Sequence, residues 1–400
     1  MMKRFVRAIS ISLGICLTAC VQEGQEKLSE FYPVSYQVLQ GWNQENHSQI
    51  LTVFRQTCRQ IRKLPSITYL GGVSGLPGSQ AKDWIPVCIA AEQIDIKQPL
   101  QVKNFFEQWL QPYQYSYRIQ KGKVTGYYEP EIEGSTVKTG NYQVPVYTRP
   151  NDLKARKTVD GQIQYGHMQN NQFIPYYTRA EIDRGALNGK NLEIVWLKNS
   201  ADLFFMQIQG SGRILLPDGK ILRLAYAGKN GQPYTPLGKI LIDKGYMNSD
   251  AINIYSLRTW LFNHPDQALS LMEENKNYVF FKILNNQILD EGPKGAFNVS
   301  LSAGRSAAVD KKWIPLGSPL WIETLMPEPG HQDKRSWKHM VFAHDLGGDI
   351  HGMNRLDLFT GWGKTAEWYA GLMNEKGKIY LLLPRQFSHS NQSVPASVKR

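Results

Sequence analysis

Apolar residues recur with two different periods along this chain, and each change of period marks a new element. Leu51, Phe54, Cys58 and Ile61 fall at helical spacing. Within 100–110, Phe105, Phe106, Trp109 and Leu110 share one stripe, which predicts an amphipathic helix ending near Pro112. From about residue 115 the period becomes two, with Tyr115, Tyr117 and Ile119 alternating with polar residues. Further strands are expected at 142–147, 192–197, 203–209 and 213–216, the last turning at Pro217-Asp218-Gly219 into 221–225. In 203–209, Gln207 and Gln209 alternate with apolar neighbours, which places both amides on one strand face. The stretch 150–190 is polar and irregular. A helix is expected with Thr235 as N-cap, Pro236 in its first turn and Gly245 past its end. Helices over about 250–262 and 266–274 lead to a strand over 278–283 that returns the chain to its first domain. Next come a strand over 319–323, a charged Pro/Gly loop over 326–338, a helix over 365–373 and a strand over 378–383. There is no internal repeat.

The densest chemistry falls in 343–363. Val341, Phe342 and Ala343 precede Asp345, Leu356, Leu358 and Phe359 flank Asp357, and glycines lie between. That predicts two short buried strands joined by a glycine loop, each carrying a carboxylate at or near its end. A carboxylate among apolar neighbours is costly to bury unless it is paired, hydrogen-bonded or protonated. A protonated carboxyl at neutral pH is what a general acid requires. The plainer reading, that both aspartates only cap turns, is weakened by apolar flanks on both sides. Tyr127 and Tyr128 lie in Thr125-Gly126-Tyr127-Tyr128-Glu129-Pro130, either as a half-buried strand end or as the lining of a sugar groove. Gln207, Gln209, Gly210 and Ser211 carry two open readings as well. Amides suit sugar hydroxyl and N-acetyl groups, and glycines let a backbone approach a ligand, yet a solvent-facing polar stripe has the same pattern. His344, Asp345 and His351 offer metal-donor types, at a spacing that follows no established metal motif.

The 400 residues allow two or three domains, and a hydrophobic share of 42% with 20% charged is ordinary for a globular protein. Ten Trp and twenty Tyr serve either a core or an aromatic groove. A net charge of +12 favours an acidic partner such as an anionic membrane or an anionic polymer like peptidoglycan. No Lys/Arg block singles out nucleic acid. Lys3, Arg4 and Arg7 precede a short apolar run from Ala8 to Cys16, too short to span a bilayer, so residues 1–19 read as a signal peptide. Leu17-Thr18-Ala19-Cys20 looks like a bacterial lipoprotein box, which implies cleavage before Cys20 and lipid on its sulfur. Val21 after that cysteine suggests the outer membrane, with the protein facing the periplasm, and 20–30 would be a lipidated tether. Export places Cys58 and Cys88 in an oxidising space, where a disulfide is the expectation and two buried free thiols the alternative. A bridge would stabilise by roughly 3–4 kcal/mol on the loop-entropy model.

Three stretches together resemble the membrane-bound lytic murein transglycosylase A family. They are the aspartate-rich 343–363 with Asp310 and the turn Ile314-Pro315-Leu316-Gly317 upstream, the run 125–130, and Phe204 to Arg213. The resemblance covers about residues 50–385. It implies a mainly β protein with flanking helices (α+β): a six-stranded double-psi β-barrel over 31–130 and 276–385, with a β-rich substrate-binding domain inserted over 131–275 and a flexible tail over 386–400. A groove between the two would hold a glycan strand. By residue-wise match Asp357 is the catalytic acid, Asp345 the aspartate beside it and Asp310 structural. Asp349 departs from the pattern, which has a small residue there. The implied partners are peptidoglycan glycan strands and the outer membrane through the N-terminal lipid, with cell-wall synthesis or hydrolysis complexes as candidates. The reaction calls for no cofactor. A non-catalytic peptidoglycan-binding lipoprotein and an inverting hydrolase using Asp357 with Asp345 are the alternatives.

Overall fold

The computed structural model describes residues 30–116, 121–159, 161–285, 290–330 and 333–385. The expected signal peptide, Cys20, Tyr117, Ile119 and the tail 386–400 lie outside the described residues.

Six strands close on themselves. Gly122–Glu129 pairs antiparallel with Asn374–Pro384, which pairs with Pro319–Met326, then Arg335–Leu346, Ser306–Val309 and Arg355–Trp362, and back to Gly122–Glu129. The ring mixes parallel and antiparallel neighbours and is the six-stranded barrel that the resemblance implies. Its interior joins a core with the helices His47–Ile61, Ala81–Gln93 and Pro99–Trp109, through Phe54, Trp84, Phe106, Trp321 and Phe342. Cys58 and Cys88 are bridged between the first two helices, with Cα atoms 5.3 Å apart.

The chain leaves the barrel after Glu129 and builds a six-stranded sheet from Glu131–Ser135, Val144–Tyr147, Glu193–Leu197, Ser211–Leu215, Ile221–Lys229 and Val279–Ile283. The last of these pairs with Ile221–Lys229, so it belongs to the inserted sheet and does not return the chain to the barrel as expected. Its buried face, Val279 and Phe281, packs into the core of that sheet. The polar stretch 150–190 is ordered too: Lys154–Lys157, Ile163–Gln169 and Gln172–Pro175 form a three-stranded sheet, which a mostly exposed pattern conceals.

The expected strand 203–209 is a helix, Ser200–Gln209. Asn199 caps it by accepting from the Asp202 backbone N–H, and Gly210 ends it at φ +79°. The helix is apolar on most sides because it is shared between two cores. Leu203 and Met206 pack on the inserted sheet, while Phe204 and Phe205 pack on the helices Leu237–Asp243, Ile254–Asn263 and Pro265–Glu273. The helix expected after Thr235 starts at Leu237, with Pro236 in the capping position.

Candidate active site

Strand pairing alone brings the two aspartates together. Ala308 lies opposite Asp345 on one side and Asp357 on the other, and Asp357 lies opposite Thr125. The four residues form one row across four neighbouring strands. At the usual strand spacing, the Cα atoms of Asp345 and Asp357 are roughly 10 Å apart. A register shift between Ala307 and Ala308 skips His344 and sets Asp345 in that row.

Asp357 is half-buried, and its Oδ1 accepts the Thr125 hydroxyl at 2.7 Å. Burial pushes its carboxyl above the ordinary carboxylate range. The Thr125 hydrogen bond, Arg355 and Lys123 oppose that rise, and the charge of Asp345 adds to it. Asp345 is also half-buried and better supplied with donors. Its Oδ1 accepts the backbone N–H of Ala296 at 2.8 Å and of Leu346 at 2.9 Å, and its Oδ2 accepts the Tyr127 hydroxyl at 2.9 Å. Burial pushes Asp345 up while these three hydrogen bonds pull it down.

The alternation along Gly122–Glu129 sorts its run of site residues. Thr125 and Tyr127 share the aspartate face. Gly126 and Tyr128 point the other way, against the helix Gly363–Leu372. A Cβ on Gly126 would sit 2.8 Å from the Ala370 Cα, and the buried Tyr128 donates its hydroxyl to Glu367. So only half of the expected 125–128 lining faces the carboxylates.

The four insert positions divide as well. Gln207 is 4% exposed and donates to the Val279 carbonyl, so it serves the core of the inserted sheet and not a groove. On a helix, Gln207 and Gln209 are two positions apart and face different ways. Gln209 instead accepts the backbone N–H of Tyr128 at 3.0 Å, which ties the insert helix to the barrel strand. Gly210 is required by its positive φ, and Ser211 is buried at the start of its strand.

Asp310 accepts the backbone N–H groups of Lys312 and, at 2.7 Å, of Gly352, so it fastens the glycine loop. His344 is fully buried. Its ring nitrogens are engaged by Thr57 at 2.7 Å and Ser306 at 2.8 Å, and burial pushes it down to about 3. That ring is a neutral core group, and the metal reading of His344, Asp345 and His351 fails on it. Among the described residues no group of His, Cys, Asp and Glu has metal-binding geometry.

Pattern reading missed several residues. The Ala296 N–H comes from a loop with no period to read. Glu129, fully buried, is bonded to Arg213 at 2.7 Å and to Arg223 at 3.0 Å, and Arg213 lies over the Trp362 ring at 4.1 Å. Glu129 and Trp362 end barrel strands and both arginines lie in the inserted sheet, so this cluster joins the two parts. The Glu-Pro step after two tyrosines was the sequence signal available for it.

Residues 123–282 match the model of the MltA specific insert domain, and residues 305–383 match the model of the 3D domain. The chain is 33% identical over 261 residues to the membrane-bound lytic murein transglycosylase A of Escherichia coli K12; the match spans 64% of each chain. The crystal structure of a membrane-bound lytic murein transglycosylase from Agrobacterium tumefaciens superposes with a TM-score of 0.79 at 31% identity, covering 89% of this chain and 98% of that one. The structure of Escherichia coli MltA with bound chitohexaose superposes with a TM-score of 0.63 at 26% identity, covering 84% of this chain and 90% of that one. With both of its segments matched and a whole relative superposed, the chain belongs to the membrane-bound lytic murein transglycosylase A family.

Proposed function

We propose that this protein is a lytic transglycosylase. It cleaves the β-1,4 bond between N-acetylmuramic acid and N-acetylglucosamine in peptidoglycan and leaves 1,6-anhydromuramic acid ends. The observation that carries this reading is the Asp357 carboxyl, raised by burial in a half-open barrel site. An unperturbed aspartate is protonated in only about one molecule per thousand at pH 7; burial moves Asp357 toward the protonated form. Glycosidic hydrolysis ordinarily needs two working carboxylates. A muramic acid residue brings its own nucleophile, the C6 hydroxyl. Asp357 protonates the bridging oxygen, the C1–O bond breaks, and the leaving sugar departs. The resulting carboxylate then takes the C6 hydroxyl proton as O6 bonds to C1, which restores the acid and consumes no water. An inverting hydrolase would use Asp345 to activate water, a task for which its three protein donors make it a weaker base.

The chitohexaose bound in the Escherichia coli relative supports a glycan substrate here. In this reading Thr125 and Tyr127 line the glycan site beside the carboxylates. The membrane-bound names of the relatives support membrane association. Among the described residues no helix is long and apolar enough to cross a membrane. In this reading the attachment is lipid on Cys20, at the outer membrane, and the box Leu17-Thr18-Ala19-Cys20 supports it. Radiolabelled fatty acid retained by the wild type and by Cys20→Ser alike would contradict that anchor. The enzymatic reading is tested by Asp357→Asn, which should lose about 10²–10⁴-fold in murein cleavage while still binding purified glycan strands. Substantial activity in that variant would overturn the assignment.

A further inference from the structure

We propose that Tyr127 is a positioning residue for this reaction: its hydroxyl holds Asp345 as a carboxylate, and the fixed charge two strands away keeps the working proton on Asp357. The inference rests on the reading of Asp357 as the acid.

The geometry begins with the period of the strand. Thr125 and Tyr127, two residues apart, face the same side. Thr125 lies opposite Asp357, and Tyr127 lies opposite Phe359 with the two ring centroids 5.4 Å apart. That packing carries the Tyr127 hydroxyl past the Asp357 strand to Asp345. The two carboxylates are therefore served by two hydroxyls of one strand face, but under different constraints. The backbone N–H groups of Ala296 and Leu346 occupy Oδ1 of Asp345 and cannot turn round to accept a proton. A protonated Asp345 would carry its proton on Oδ2, and the Tyr127 hydroxyl would have to turn from donor to acceptor. The Thr125 hydroxyl can turn in the same way at Asp357. The difference lies in number: Tyr127 and two backbone N–H groups stabilise the Asp345 carboxylate, where Asp357 has the Thr125 hydroxyl. Asp345 is thus the better-stabilised carboxylate, and Asp357 the one that takes the proton.

The surrounding cations pull the other way: Arg355 and Lys123 favour the Asp357 carboxylate, the state that follows proton donation, and Asp349 shares Arg355. The Asp345 charge opposes these cations at Asp357, and the repulsion between the two carboxylates leaves the proton on the one with fewer donors. Burial first, and then both carboxylates, raise the Tyr127 phenol well above its ordinary value, so it keeps its proton. His344, next in the chain, is neutral and turned into the core.

The test is the pH profile of kcat and kcat/KM on purified glycan strands. Activity needs protonated Asp357, so the alkaline limb follows its pKa. Tyr127→Phe keeps the ring and removes the hydroxyl. Part of Asp345 then becomes neutral, and the limb should move to lower pH by roughly one unit, about a tenfold loss of kcat above it, with KM unchanged. Asp345→Asn should move the limb the same way, and this second variant keeps the proposal falsifiable if Tyr127→Phe fails to fold. Thr125→Val removes a donor from the Asp357 carboxylate and should move the limb to higher pH. An unmoved limb in Tyr127→Phe, or a rise in KM alone, would overturn the proposal in favour of a plain sugar-stacking role. Activity surviving in Asp357→Asn would instead defeat the catalytic reading itself, so the two failures are distinguishable.

Discussion

At the scale of single residues, burial is what separates chemistry from structure here. Asp357, Asp345 and His344 all stand among apolar neighbours, and each has a different remedy for it. Asp357 is raised toward its protonated form, Asp345 is held by three donors, and His344 stays neutral between two hydroxyls. The histidine carries a stability prediction. Its pKa falls from 6.5 in the unfolded chain to about 3 in the folded one. The folded state therefore resists taking a proton that the unfolded chain accepts, and stability should fall as pH drops from about 6.5 toward 3. By pH 5 the loss from this group is on the order of 2 kcal/mol. Urea denaturation at pH 7 and pH 5 measures it, and His344→Gln should flatten that slope whatever it does to stability at pH 7. Glu45, held at about 2 by His339 and Arg305 against its own burial, adds a separate loss between about pH 4.5 and 2. The aspartates were legible in the sequence because an acid inside an apolar run is conspicuous. The role of His344 was not, since the same letter fits a metal ligand and a core group until its partners on other elements are known.

At the scale of elements, long stretches with one buried face were legible and shared ones were not. The helix Pro99–Trp109 shows its period because one side meets a single core, whereas the strands around Asp345 and Asp357 show as apolar runs, Met340 to His344 being buried on both faces. Ser200–Gln209 misled because two cores bury it from both sides, so its helical stripe is erased and Met206-Gln207-Ile208-Gln209 imitates a strand. Its capping residues, Asn199 and Gly210, were the better signal. Gly210 supplies a direct check. At φ +79° its need is conformational. Gly210→Ala should cost about 1–2 kcal/mol of stability, with glycan affinity unchanged when measured on folded protein. A large loss of affinity without loss of stability would restore the ligand-contact reading of that turn.

At the scale of the whole molecule, the inserted sheet and the barrel are held in register by charge as well as by chain connection. Glu129 faces Arg213 and Arg223 with both arginines about 2% exposed, and Gln209 grips the Tyr128 backbone beside them. Removing the carboxylate would strand two buried cations, so Glu129→Ala should cost about 3–5 kcal/mol in thermal or chemical unfolding. Replacement of an exposed acid such as Asp218 should cost almost nothing. Glu129 and Arg213 each stand in a stretch that the sequence singles out, but their pairing was not legible because the members of this junction are about ninety residues apart. The barrel that carries the site was legible only as a set of motifs; its closure depends on pairings between distant strands that no local pattern records. In the proposed reaction a single carboxyl gives a proton to the leaving sugar and takes another from the muramic acid that closes on itself. The most direct measurement is a mass spectrum of the products from purified murein. The account predicts anhydro ends, one water lighter than hydrolysis products, from the wild type and at most about a hundredth as much from Asp357→Asn. Reducing ends from the wild type would contradict it.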